Sequence, residues 1–375
     1  MSVDVRVHSN VLVAATAWVA RNLPPRPTVP VLLGMLIKAD DGILSLSTFD
    51  YEVSSHVQVE ADVREPGSLL LPGRRFSEIA KSLPGKVIRL SVEGTTVVLA
   101  CENSRFVLRP LPLEDYPALP AMPKVRGTAK GSALAEAIAQ IASVASRDET
   151  LPILTSVRLE AKERTLTLDA TDRYRWGVRT LDWQPSGNDE ELAIQVPAKS
   201  LLDCAKQITS EEQAQLAFSE TTNTFGIRGE RWWMTTRLID GAMPRHDQAW
   251  PAAFSSQASV EKRSLVDAIK RVAVVSEGRL PLQMHFGKGS LTLEVSSGDG
   301  DQATTDLEVR HDDEDMSIAF NPAYMLDGLN SISDTYVLFS FTGPKGKAMI
   351  EGGSESGEAS EKNFRYLVMP IRVTT

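Results

Sequence analysis

A chain of 375 residues exceeds what one ordinary hydrophobic core organises, so two or three domains are expected. With 42% hydrophobic and 24% charged residues it has the composition of a soluble globular protein, and no stretch reaches the ~18 apolar residues of a membrane span. The formal charge of −9 excludes a protein that coats nucleic acid with its whole surface, while leaving single faces open. The start, MSVDVRVHSN, has no basic region followed by an apolar core, so no secretory signal is expected and a cytoplasmic location is. Cys101 and Cys204 stand alone, without C-x-x-C spacing or a histidine nearby in sequence, and read as buried thiols.

In chain order, the first element is an amphipathic helix with Leu12, Ala15 and Val19, for which Asn10 is the expected cap. The same helix recurs with Leu134, Ala137 and Ile141 behind Ser132, and again with Leu265, Ala268 and Val272 behind Ser264. Each gives way to a proline-marked strand entry: RPTVPVL at 26–32, ETLPILT at 149–155 and GRLPLQM at 278–284. Next comes a strand phrase, ILSLSTFDYE at 43–52, TLTLDATDRYRW at 165–176 and SLTLEVSSGD at 290–299. Its paired leucines, starting at Leu44, Leu166 and Leu291, lie 122 and 125 residues apart, about one third of the chain.

A second helix follows each strand, opened by Leu71-Pro72, Val196-Pro197 and Phe320-Asn321. It carries Phe76, Ile79 and Leu83, then Leu201, Ala205 and Ile208, then Met325, Leu329 and Ile332. Each third closes on an apolar strand: RFVLRPL at 105–111, WWMTTRL at 232–238 and YLVMPIR at 366–372. Boundaries therefore fall near 125 and 255, giving domains 1–125, 126–255 and 256–375. The segment 351–363, rich in Gly, Ser and Glu, reads as a mobile loop. The six helix windows together carry +5 in a chain of −9. That bias, shared by a triplicated unit, suggests a common surface facing an anion such as a phosphate backbone.

Catalytic patterns are weak. The histidines His8, His56, His246, His285 and His311 are scattered without metal-ligand spacing. Gly346-Lys347 lacks the rest of a phosphate-binding loop, and the acidic run 312–315 lacks the calcium-loop pattern and reads as a solvated turn. Ser259-x-x-Lys262 matches the first motif of penicillin-recognising enzymes, without S-D-N or K-T-G to complete it. An acyl-transferring enzyme is therefore the weakest of the readings kept open.

The triplication and its anchors, RPTVPVL, VPAKSLL (196–202), ATDRYR (170–175), TTRLIDGAMP (235–244), FNPAYMLDGLNSI (320–332) and YLVMPIR, resemble the bacterial sliding clamp, the beta subunit of DNA polymerase III, over essentially the whole chain. The resemblance implies an α+β fold of three similar domains, each with two helices packed on antiparallel sheets. Two chains would join head to tail in a ring around duplex DNA, bound without regard to sequence. It implies no catalytic residue, cofactor, metal or membrane. Arg26, Arg74, Arg147 and Lys199 match positions that face DNA, and each also reads as an ordinary exposed basic residue. Phe106 and Leu108 match one edge of the dimer contact, Val274 and Val275 the other, with Arg75 and Arg105 facing an acidic stretch that includes Asp299 and Asp301. A core role for Phe106 and Leu108 stays open.

The resemblance also implies a pocket for linear peptides of the polymerase catalytic subunit, the clamp loader and repair or translesion proteins. Its matching positions are Leu154, Thr171, Arg173, Tyr174, Arg175, Trp176, Pro244, Asn321, Tyr324, Leu367, Val368, Met369, Pro370, Ile371 and Arg372. The chain departs from the family pattern at Arg173, where glycine is frequent, at Trp176, where leucine is usual, and at Gln248, where some clamps place arginine. A bulky indole at the wall implies a retuned pocket, with evasion of a peptide-like inhibitor as one reading and lineage variation as the other. The rival to a ring is a triplicated adaptor that binds peptides without dimerising or enclosing DNA.

Overall fold

The computed structural model describes residues 2–187, 191–276, 280–297, 300–360 and 364–372. Its contacts divide the chain into two compact units. The first holds 1–134, 184–188 and 200–238, and the second 135–183, 189–199 and 239–375. This division runs through the middle third, because each unit contains a sheet built from successive thirds. In the first, Trp232–Arg237 pairs antiparallel with Val53–Glu60; in the second, Arg175–Asp182 pairs with Phe364–Val368. Ladder hydrogen bonds thus continue where the repeat pattern changes copy.

Seven α-helices are formed among the described residues: α1 (Ser9–Val19), α2 (Gly73–Ser82), α3 (Gly131–Ala142), α4 (Ala198–Ile208), the short α5 (His246–Ala249), α6 (Lys262–Val272) and α7 (Pro322–Asn330). In the first unit α1 packs on α2, and in the second α6 packs on α7. Leu12, Leu134 and Leu265, which share one register of the repeat, are all buried, as are Phe76, Leu201 and Met325 in the second helices. The apolar periodicity therefore fixes which face of each helix is core.

Helix starts differ from expectation. Asn10, Ser132 and Ser264 all lie inside their helices, because each helix follows directly on a strand and begins earlier. At α6 the cap is Glu261, whose carboxylate accepts the Arg263 and Ser264 amides, and the Ser264 side chain foremost, together with these amides, holds its pKa below the ordinary carboxylate value. The proline entries form 3₁₀ turns at Pro30–Leu33 and Pro152–Thr155 before their strands. The segment expected as a loop from 351 instead begins as the end of strand Ala348–Gly353; its residues 361–363 lie outside the described set.

The second unit contains an eight-stranded sheet. Its strand order is Leu192–Pro197, Ser156–Lys162, Thr165–Thr171, Arg175–Asp182, Phe364–Val368, Ala348–Gly353, Tyr336–Phe341 and Ser256–Glu261. Neighbours in this order are antiparallel. α7 lies close on this sheet at Gly328, where an added Cβ would stand 2.6 Å from the Tyr366 ring. Only glycine permits that approach.

In the first unit the His56 ring stacks on Trp233 at 3.6 Å, opposite it in register, and its Nδ1 meets Ser47 Oγ at 2.6 Å. Burial depresses the imidazole pKa from 6.5 to about 4. The unfolded chain therefore binds a proton that the folded chain resists. His56 contributes stability above pH 6.5, and the contribution is lost as pH falls from 6.5 to about 4. Denaturant unfolding across that range is expected to show a loss of up to ~3 kcal/mol from this group, and His56→Gln should flatten that part of the profile.

Candidate functional site

The turn joining Thr165–Thr171 to Arg175–Asp182 is built by two short side chains. Asp172 Oδ1 accepts the Tyr174 and Arg175 amides at 3.0 and 3.1 Å. Thr171 Oγ1 accepts the Arg173 amide at 3.1 Å and donates to the Arg175 carbonyl at 2.7 Å. This Asx geometry holds Arg173 at φ +82, a left-handed conformation rare outside glycine. The equivalent turn in the first third, with Asp50 accepting the Glu52 and Val53 amides and Tyr51 at φ +76, has the same form.

Arg175 points from this turn into the inner face of the sheet and is 8% exposed. Its Nε donates to Asp172 Oδ2 at 2.9 Å, Nη1 to Asp327 Oδ2 at 2.6 Å and to the Tyr366 hydroxyl at 3.5 Å, and Nη2 to the Ser143 carbonyl at 3.0 Å. The guanidinium carbon also lies 4.4 Å from the centre of the Tyr324 ring. Burial works against the charge, but Tyr366, Asp327 and Asp172 outweigh it and hold the pKa above the ordinary arginine value. Burial raises the Tyr366 phenol, against the pull of Arg175, and its hydroxyl donates to the Tyr324 carbonyl at 2.9 Å. Asn321 caps α7 through Oδ1, accepting the Ala323 and Tyr324 amides.

Alternation along the strand sends the next residue the other way. Trp176 pairs with Leu367, which pairs with Met349, and these share the outer face with Val178. Trp176, Val178 and Leu367 form an apolar floor against which Ala249, Trp250 and Met349 pack. The chain after the last strand is pinned by two backbone bonds, Met369 N to the Tyr174 carbonyl at 2.8 Å and Ile371 N to the Ala319 carbonyl at 2.7 Å.

The fifteen residues read as a peptide pocket therefore all lie in the second unit, but not on one face: Trp176 and Leu367 belong to the outer floor, while Arg175 and its strand partner Val368 face the inner side. Leu154, Thr171, Arg175, Trp176, Leu367 and Val368 are buried; Asn321, Tyr324, Met369 and Pro370 are partly so. Arg173, Tyr174, Pro244, Ile371 and Arg372 are exposed, Tyr174 at 55%. Ala249, Trp250 and Met349 escaped sequence reading. Met349 was accessible from the register of the last strands, whereas Ala249 and Trp250 reach the floor through tertiary packing alone.

Arg26, Arg74, Arg147 and Lys199 are all exposed, the first two in the first unit and the others in the second. Arg74 Nη2 donates to the Leu23 carbonyl at 2.8 Å. Strand Ser104–Leu108 is the end strand of its sheet, with Phe106 partly buried and Leu108 buried in the chain's own core. Val107, which sequence reading passed over, is 50% exposed there. Arg75 is exposed, and Arg105 is exposed and pairs with Glu93 at 2.7 Å. In the second unit Val274 is 75% exposed, Val275 is partly buried, and Asp301 is exposed at the start of end strand Gln302–Glu308. Asp299 lies outside the described residues. Ser259 Oγ donates to the Ser354 carbonyl and Lys262 Nζ to the Ile332 carbonyl, so they do not form a nucleophile–base pair.

Removing the buried cation should be costly, because its carboxylate partners would be left uncompensated. Arg175→Met is expected to destabilise the protein by about 3 kcal/mol in denaturant unfolding. A loss below about 1 kcal/mol would mean the network is not structural.

Three family models match in succession: the DNA polymerase III beta subunit N-terminal domain over residues 3–120, its central domain over 128–245 and its C-terminal domain over 247–372. The beta sliding clamp of Streptomyces coelicolor is 42% identical over 373 residues, covering 99% of each chain. The beta sliding clamp homolog GriR of Streptomyces muensis is 41% identical over 367 residues, covering 98% of each. The sliding clamp of Pseudomonas aeruginosa bound to griselimycin superposes with a TM-score of 0.91 at 24% identity, covering 100% of both chains, a likeness of fold. Matched along its whole length in repeat order, this chain belongs to the DNA polymerase III beta subunit family, the beta sliding clamps.

Proposed function

We propose that the chain is a DNA sliding clamp: two copies join head to tail in a ring that encircles duplex DNA. The ring tethers the polymerase and other partners through linear peptides docked at the Trp176–Leu367 floor. The observation that carries this reading is the family match over all three thirds, on a chain with a buried apolar floor in its second unit. A ring holds DNA by topology, so its contacts are best weak, sequence-independent and screened by salt. Helix windows more positive than the rest of the chain, with Arg26, Arg74, Arg147 and Lys199 exposed, suit such contacts. Excess affinity would act as a brake.

On this reading the domains are 1–125, 126–255 and 256–375, the protein works in the cytoplasm, and it is a non-catalytic accessory factor. The ring closes through end strands Ser104–Leu108 of one copy and Gln302–Glu308 of the other. Both have an edge free to accept a neighbour among the described residues. Phe106, Val274 and Val275 supply apolar area, and Arg75 and Arg105 face the acidic side that includes Asp299 and Asp301. The polymerase catalytic subunit, the clamp loader and repair or translesion proteins are the expected peptide donors. Light scattering at micromolar concentration is expected to give twice the 41.0 kDa chain mass. A stable monomer would favour the non-encircling adaptor.

The indole of Trp176 supports a narrower statement about the pocket. It is 9% exposed and occupies the floor itself, against Trp250 and Leu367. A floor filled in this way leaves less depth for a ligand's apolar anchor and selects among ligands by size. Griselimycin is bound by the clamps of Pseudomonas aeruginosa and Bartonella birtlesii, and we propose that Trp176 disfavours it here. Trp176→Leu is expected to tighten griselimycin binding about tenfold in calorimetry, worth ~1.4 kcal/mol. Unchanged affinity would assign the tryptophan to lineage variation.

A further inference from the structure

Strand Thr165–Thr171 carries a residue that alternation does not ask for. Leu166 and Leu168 face the core, so Thr165, Thr167, Asp169 and Thr171 face outward, and Asp169 alone of these is charged. It is fully buried nonetheless, opposite Arg158 on one side and Val178 on the other. Its Oδ1 accepts the Trp176 indole N–H at 3.3 Å, and its Oδ2 makes no hydrogen bond among the described residues. Arg158 Nε stands 3.9 Å from Oδ2 and His246 Nδ1 3.7 Å, while the Arg158 guanidinium is bonded to Glu160. A carboxylate buried with so few hydrogen-bond partners is costly, and a threonine like its outward neighbours would cost less.

We infer that Asp169 is the positioning residue of the floor: its hydrogen bond fixes the Trp176 indole along the strand toward Val178, and so sets the size of apolar anchor that the floor accepts. The inference rests on the reading of this floor as the peptide site. Register supplies the direction. Trp176 lies opposite Thr171 and Asp169 opposite Val178, so the bond between Trp176 and Asp169 is diagonal across the two strands. To make it, the indole leans along its own strand toward Val178, away from the turn at Asp172. Without the bond, the other staggered rotamers of the side chain come within reach. Val178, Leu367 and Met349 have no polar handle, so among the floor residues of the sheet it is the indole whose direction a hydrogen bond can set. Trp250, which packs against them, has its Nε1 buried without a partner among the described residues.

Held in this direction, the ring covers the Val178 end of the floor and presents a fixed edge to an anchor seated beside Leu367. A fixed wall discriminates by size, because a bulkier anchor displaces it only by breaking a buried hydrogen bond, whereas a ring free to turn would yield. Asparagine at position 169 keeps a carbonyl acceptor at the same reach, and leucine has a similar reach with no acceptor. The two substitutions therefore separate the hydrogen bond from the bulk of the side chain. Arg158 stays matched by Glu160 in both, so neither leaves an orphaned cation.

The test uses the full chain and two N-acetylated, C-amidated fluorescent pentapeptides that differ at one anchor, leucine in one and naphthylalanine in the other. Anisotropy is expected to favour the leucine peptide about tenfold in the unmodified chain and in Asp169→Asn, and about threefold or less in Asp169→Leu. In the Trp176→Leu background Asp169→Leu should leave the ratio unchanged, which a general loosening of the sheet would not do. The Trp176 indole N–H resonance, identified by its absence in Trp176→Leu, should shift and exchange faster in Asp169→Leu and stay in place in Asp169→Asn. Where Asp169→Leu fails to fold, Trp176→Phe, which removes the N–H from the other side, takes its place under the same criterion. No preference in the unmodified chain, a ratio unchanged in Asp169→Leu, or one lost equally in Asp169→Asn would overturn the inference. Absence of binding by both peptides to the unmodified chain would instead sink the peptide-site reading, and the inference with it.

Discussion

A guanidinium taken out of water must find a partner for nearly every N–H, and Arg175 does so by drawing on four parts of the second unit. The Asp172 turn, the carbonyl of Ser143 just after α3, Asp327 on α7 and Tyr366 on the last strand all meet at one cation. None of these can move without uncovering a buried charge. The inner side of the sheet is therefore rigid for an electrostatic reason, added to the packing of Tyr366 against Gly328.

One residue further along, the same strand does the opposite. Trp176, Leu367 and Met349 form an outer surface of large, adaptable side chains over which a short segment is laid. Strand alternation thus converts two neighbouring residues into a fixed support and a deformable floor. That pairing suits recognition of varied linear peptides, since the position of the site is held while its walls can accommodate different anchors. The weak, sequence-blind contacts proposed for DNA have no comparable apparatus: Arg26, Arg147 and Lys199 are simply exposed cations, and topology would supply the retention.

Much of this was legible in the residues alone. The repeat of Leu12, Leu134 and Leu265 located the core face of three helices, because it depends on local periodicity, whereas the phrase 165–176, read as one strand, holds a turn made by Asp172 between two strands. Helix starts were displaced because strands lead straight into helices, and at α6 a glutamate does the capping. The two contact units were not legible, since they depend on Arg175–Asp182 pairing with a strand about 190 residues away. Asp169 and His246 were missed for the same reason. A carboxylate in an alternating strand reads as solvated, but Asp169 is buried, opposite Arg158 and Val178 and accepting the Trp176 indole N–H, with His246 close by. The family resemblance carried the peptide-site positions as a set, but did not separate those facing the buried network from those facing the floor.

The most direct test of the account is retention on circular duplex DNA loaded by a clamp loader, followed before and after the circle is cut. Topological enclosure predicts stable retention on the closed circle and release by sliding off once it is linear. Equal retention on both forms would contradict it and identify ordinary contact binding in its place.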